Sequence, residues 1–164
     1  REMNIFYLSH DPEEAARFQY NKHVVKMILE SAQLLCTAHH ELGNHDVPYK
    51  STHKNHPSAI WTRSNDLSYM WVYEHMIALG KEYKRRYGRT HLTINKCCNV
   101  LMDPPVGIPS TEWQHPPQCM PDEYKADCPV EGYWNYYVAD KRKIANTKTE
   151  IIYEKRPERP NTTI

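Results

Sequence analysis

The stretch DPEEAARFQYNKHVVKMILESAQLLCTAHHELGN, residues 11–44, constrains the fold more than any other part of the chain. Asp11 is a good helix N-cap, Pro12 suits the first helical position, and Glu14 stands where a capping box places its acid. Gly43 or Asn44 ends the run. Phe18, Tyr20, Val24, Val25, Met27, Ile28, Leu29, Ala32, Leu34 and Leu35, projected at helical spacing, cover more than half the circumference. A helix that is apolar over so wide an arc has to be surrounded. The expected fold is therefore mainly α: a compact single-domain helical bundle over residues 1–164, a length that buries roughly two-thirds of the unfolded surface.

The surrounding elements can be read in turn. Residues 57–87 form a second helical region, broken near Ser64–Asn65, with a stripe of Tyr69, Val72, Met76, Leu79, Tyr83 and Tyr87 closed by Gly88. Residues 92–102 suit a third helix, and residues 129–146, rich in tyrosine, a last one. MNIFYLS reads as a strand or an extended arm within residues 1–10. Seven of the twelve prolines lie in 103–130, and Trp113, Met120 and Tyr124 are scattered among them, so this is expected to be a long ordered loop rather than a linker. Residues 150–164 read as an extended tail. Only 40% of the chain is apolar and the mean hydropathy is −0.81, so the 12 tyrosines and 4 tryptophans must supply much of the core.

A net charge of +1 excludes a global field for nucleic acid, so any basic patch is local. The five cysteines are odd in number, form no CxxC and follow no leader sequence, which predicts reduced thiols and a cytoplasmic protein. Met3 reads as the natural start after Arg1 and Glu2. No apolar run is long enough for a membrane span. The protein is expected to be a monomer.

Inside the first helix runs a polar line: Gln19, Lys22, Lys26, Glu30 and Gln33 fall within about 80° on the wheel, Thr37 continues it, and His23 flanks it. This is either a narrow solvent face with an ordinary Lys26–Glu30 pair or the wall of a cleft. In a cleft, an amine beside a carboxylate supplies a nucleophile and a proton carrier. STHKNHPSAIW, residues 51–61, adds His53, Asn55 and His56 just before a proline-started helix. The H-x2-H spacing is weak as a metal motif, and no metal or other cofactor is expected. The preferred reading is a helix-start anion site facing the polar line, with the histidines as donors; the bland one is that His56 satisfies the helix start.

GKEYKRRYGRTHLTINK carries Lys81, Lys84, Arg85, Arg86, Arg89 and Lys96 against Glu82 alone. Six cations in sixteen residues exceed what a helix C-terminus needs and read as a phosphate-binding patch, with Lys84, Arg85, Arg86 and Arg89 at its centre. PPQCMPDEYK is a proline-framed loop whose Gln118 and Asp122 can line a pocket and read a base edge, or be surface ornament.

The strings KHVVKM, HPSAIW and MPDEY, with PPQCMPDEYK followed by YWNYY, resemble a family of small proteins common in phages and some bacteria. The resemblance spans nearly the whole chain. In layout that family is distantly similar to the pyrimidine-dimer DNA glycosylases of the phage endonuclease V type. That type uses its N-terminal amine as nucleophile with a glutamate of the first helix. Here Lys22 or Lys26 would replace the amine, with Glu30 as the acid and His23 and His56 managing protons. The expectation that follows is a DNA glycosylase, with or without lyase activity, acting on an extruded damaged or modified base in the host cytoplasm. Gln33, Trp61, Gln118 and Asp122 would form the base pocket, and Trp61, Trp71 or Trp113 could stack in the gap. Two other readings stand beside it: a transferase that modifies DNA bases, and a non-catalytic module that binds DNA or protein.

Overall fold

The first helical segment is two helices. In the computed structural model, which describes residues 3–139, α1 spans Pro12–Arg17 and α2 spans Asn21–Glu41. Asp11 caps α1 as expected, its carboxylate accepting from the Glu13 N–H at 3.0 Å. The break at residues 18–20 is made by distant partners. Tyr20 is extended, and its N–H turns away from the helix to the Tyr137 hydroxyl at 2.8 Å. The Arg86 guanidinium donates to the carbonyls of Arg17 (3.0 Å) and Gln19 (2.7 Å) and to the Asn21 amide oxygen (2.9 Å). These bonds satisfy the carbonyls that a helix end leaves open. No local feature of the sequence announces them.

The break expected at Ser64–Asn65 is present. The α3 helix covers Pro57–Arg63 and α4 covers Asp66–Tyr87. Asn65 starts α4 by accepting from the Leu67 N–H at 2.7 Å and ties it to the proline-rich loop by donating to the Glu112 carbonyl at 2.7 Å. Gly88 ends α4 in the left-handed region at φ 75°, a conformation that glycine adopts without strain. The α5 helix is shorter than expected, Leu92–Cys97, and α6 is described over Pro129–Ala139. The expected continuation of α6 to 146 and the tail 150–164 lie outside the described residues.

The described residues are mainly helical, about 55%, contain no strand, and form one compact domain. Helices α2 and α4 make the central pair, α1 packs on α4, and α3 on α2. The expected stripe of α4 is the core side: Tyr69, Val72, Met76 and Leu79 are buried against Ile28, Leu34 and Leu35 of α2. Only Tyr87, 41% exposed, leaves the stripe.

The N-terminal segment is a buried strap that is neither helix nor strand and turns at Phe6, which lies at φ 54°. Residues 3–9 are all buried. Asn4 accepts from the N–H groups of Ile5 and Phe6 and donates to the Cys119 carbonyl at 3.0 Å, while Trp134 donates to the Leu8 carbonyl at 2.8 Å. The proline-rich loop is ordered, as expected, and contains a 3-10 turn at Asp122–Tyr124.

Candidate functional site

Surroundings divide the polar line of α2 into a wet and a dry side. Lys22 and Lys26 are exposed, Gln33 is half-buried, and Glu30 and Thr37 are buried. The Lys26 side chain is 56% exposed and that of Glu30 is 1% exposed, yet Nζ lies 3.6 Å from Oε2. An accessible amine thus stands against a carboxylate withdrawn from solvent. Helical spacing explains the pairing, since residues four apart lie one turn apart on one face. Phe6 stacks on His23 with ring centroids 4.6 Å apart, so the strap covers that flank of α2, and Glu30 lies two turns beyond His23 on the same flank. Gln33 follows Glu30 by three residues, and its buried Oε1 accepts no hydrogen bond among the described residues.

Gln19 belongs to no such line. It sits in the α1–α2 break, fully buried, its amide donating to the His75 imidazole at 2.9 Å. Burial of His75 holds its pKa down at about 3, so the ring is neutral at ordinary pH. His23, expected as a proton carrier, is a core residue. Its Nδ1 accepts from the Tyr137 hydroxyl at 2.6 Å, and that hydroxyl in turn accepts from the Tyr20 N–H.

The loop at 51–56 does come to α2. Thr37 accepts from the Thr52 N–H at 3.0 Å and donates to the Thr52 carbonyl at 3.2 Å, which fastens the loop one turn beyond Gln33. The anion site expected there is not built. His56 Nδ1 accepts from the Ser58 N–H at 3.0 Å, so the ring acts as acceptor and takes the place an anion would occupy. The α3 helix is also only seven residues long. His53 is exposed at φ 49°, held by the Thr52 hydroxyl at 2.8 Å, and Asn55 is exposed. His56 and Pro57 line an open groove of about 720 Å³ together with Pro117–Pro121 and Lys125.

Gln118 lines this groove, but its amide is engaged. Nε2 donates to the Ala126 carbonyl at 2.7 Å and Oε1 accepts from the Ala126 N–H at 3.0 Å, closing the loop 118–126. Gly132 makes the room, because a Cβ there would stand 1.9 Å from Gln118 Oε1. Base reading by Gln118 therefore gives way to loop closure. Asp122 is exposed and pairs with Lys125 at 2.8 Å, whose hydrogen bond and charge hold the carboxyl below its usual value. Trp61 is also reassigned. It is buried, donates to the Gln114 carbonyl at 3.0 Å and packs edge-on against Trp71 and Trp113, so it is a core residue rather than a stacking wedge.

The basic segment shrinks most. The Arg86 side chain is 0% exposed and serves the α1–α2 break. Arg85 grips Glu82 with two bonds, at 3.0 and 2.8 Å. Burial pushes the Glu82 carboxyl up, but the bonds and charges of Arg85 and Arg86 outweigh it and the net shift is downward. Lys81 faces Glu13 at 3.4 Å, and Lys96 lies over the Tyr49 ring. Lys84 and Arg89 keep their charge toward solvent, Arg89 also donating to the Tyr83 hydroxyl.

Two groups near the strap were not anticipated. Asn4, the turn-former that ties the strap to Cys119, has no signal in an isolated sequence, because its partner is 115 residues away. Tyr7, buried, places its hydroxyl 2.8 Å from His10 Nδ1 and 3.4 Å from His115 Nδ1. Burial lowers both imidazole pKa values, and each ring's edge packs toward Trp113.

Among the described residues no group of three or more His, Cys, Asp or Glu is placed to hold a metal ion, and no helix is long and apolar enough to cross a membrane. Comparison with protein-family models, with curated proteins and with solved structures finds no match to this chain.

Proposed function

We propose that this protein is a DNA-base-acting enzyme, a glycosylase that releases a damaged or modified base through a covalent step at Lys26. The observation that carries the reading is the juxtaposition of an exposed amine and a buried carboxylate, Lys26 Nζ and Glu30 Oε2, 3.6 Å apart at the edge of the α2 face. In the reaction, Glu30 takes a proton from the Lys26 ammonium and the freed amine attacks C1′ of the target nucleotide. The bond from C1′ to the base breaks, and the departing base takes the proton from Glu30. The sugar is left joined to Lys26 and opens to an imine. Gln33 offers a buried acceptor next to this pair, and Lys22, Lys84 and Arg89 offer charge for the phosphate backbone. The target nucleotide has to leave the stack so that its C1′ reaches Lys26 on the α2 face.

The test separates chemistry from binding. Lys26→Ala and Glu30→Gln are each expected to lower base release by about 10²-fold or more while leaving duplex affinity, read by fluorescence anisotropy, within a few-fold of the parent. Base release at the parent rate in Lys26→Ala would contradict the reading. A transferase that modifies DNA bases would use the same pair and additionally need a second-substrate pocket. The groove beside His56 is the feature that favours it.

A further inference from the structure

The end of α2 farthest from the proposed chemistry brings two histidines together. His40, in the last turn of α2, and His45, in the loop that follows, approach with their Nδ1 atoms 2.7 Å apart. The protons in this pair can be assigned. His40 Nε2 lies 2.9 Å from the Tyr49 carbonyl, which only accepts, so Nε2 carries the His40 proton. In the neutral ring His40 Nδ1 is then a lone pair, and the hydrogen between the rings belongs to His45. The two Nδ1 atoms face each other nearly in line, with ring centroids 5.0 Å apart and the rings tilted by 40°.

The support for this pair is built. A carbonyl that accepts from the far nitrogen of an imidazole is the arrangement that orients metal-ligating histidines and fixes their tautomer. The loop is fastened as well: the Asn44 amide bonds to His39 Nδ1 at 2.9 Å, and Asn44 Oδ1 accepts from the Asp46 N–H at 3.2 Å. His39 is itself fixed on its other side by the Tyr69 hydroxyl at 2.8 Å. The site lies at the carbonyl end of a 21-residue helix, where the macrodipole favours a cation, and Glu41 and Asp46 flank the two histidines in sequence.

We infer that His40 and His45 form a two-histidine chelate for a borderline divalent transition-metal ion, Zn²⁺, Ni²⁺ or Cu²⁺, which clips the 42–49 loop to the end of α2. The metal takes both Nδ1 lone pairs, and the proton that His45 carried on Nδ1 moves through solvent to its Nε2, so both ligands stay neutral imidazoles. Tetrahedral ligation at ordinary Zn–N lengths sets the two nitrogens about 3.3 Å apart with a bent angle at the metal, so each ring has to move out by a few tenths of an ångström and turn by about 35°. Solvent fills the remaining positions. Hard cations such as Mg²⁺ prefer oxygen ligands and are not expected to bind here. This inference does not rest on the proposed enzymatic reading.

The full chain, labelled with ¹⁵N at histidine, is titrated with Zn²⁺ and followed by the imidazole resonances. In parallel, Cu²⁺ is added and its nitrogen hyperfine pattern is read by paramagnetic resonance. The expected result is one-to-one binding that shifts the His40 and His45 resonances and a Cu²⁺ spectrum with two imidazole nitrogens. His45→Ala, an exposed site that leaves the fold intact, is expected to weaken binding at least about tenfold and reduce the Cu²⁺ pattern to one nitrogen. The inference is overturned if Zn²⁺ shifts other histidines instead, if His45→Ala binds as tightly as the parent, or if the parent binds neither metal.

Discussion

At the scale of single residues, the same side-chain type does opposite jobs. Of the ten histidines, His23 and His75 are packed in the core, while His56 and His91 cap α3 and α5 by accepting from the N–H two residues on. His75 gives the sharpest consequence. Its pKa is lowered by burial from the ordinary value of 6.5 to about 3, so the unfolded chain binds a proton that the folded chain refuses. Its contribution to stability is complete above about pH 6.5 and is lost as pH falls toward about 3, at up to about 1.4 kcal/mol per pH unit. His10, His39, His91 and His115 are lowered by burial too and act in the same direction. Urea unfolding between pH 4 and 6 should therefore show stability rising with pH, and His75→Asn should flatten that slope by about one proton. An unchanged slope in the variant would mean that the folded parent accommodates the charged ring. Burial of this kind is hard to read in a sequence. HKNH and KHVV look alike as polar punctuation, and only the partners Tyr137, Gln19 and Ser58 decide which ring is structural.

At the scale of elements, Arg86 shows where sequence reasoning overreached. A run of KRR after an aromatic stripe looks like a phosphate patch, but helical spacing turns Arg86 inward, toward the α1–α2 break. The ion pair with Glu82 is buried on both sides, with 0% and 9% of the side chains exposed. Removing one partner of such a pair leaves the other charge uncompensated. Arg86→Ala is expected to cost about 3–5 kcal/mol in chemical denaturation, and Lys84→Ala less than about 0.5 kcal/mol. Equal costs would show that Arg86 does not hold the break. The start of α1 and the break before α4 were legible because their signals are local: Asp11–Pro12 caps as its residue types suggest, and the helix breaks at Ser64–Asn65. The break at 18–20 was not, because Tyr137 and Arg86 reach it from 117 and 67–69 residues away.

At the scale of the whole molecule, the helical class and the ordered proline-rich loop followed from patterning, since a widely apolar helix must be surrounded. The strap did not: MNIFYLS is too short to announce that it runs through the core, where Phe6 stacks on His23 of α2. The charge ledger also changes at this scale. With Arg86 internal and Arg85 and Lys81 paired to acids, Lys84 and Arg89 remain of the expected patch, joined by Lys22 on α2. Duplex binding should accordingly depend shallowly on salt. Lys84→Ala and Arg89→Ala should each lower the slope of log affinity against log salt by about 1, whereas Arg85→Ala should leave it nearly unchanged. A larger loss for Arg85 than for Lys84 would place the phosphate track elsewhere. The pair at Lys26 and Glu30 was visible in the sequence as spacing alone; its contrast of one wet and one dry partner needed the fold. The measurement that bears most directly on it is borohydride trapping on an abasic-site duplex, with the adduct mapped by mass spectrometry. Reduction of the imine should leave the sugar fixed to Lys26, and the adduct should vanish in Lys26→Ala and form about 10²-fold more slowly in Glu30→Gln. A duplex that binds without any adduct, or an adduct at another amine, would contradict the account.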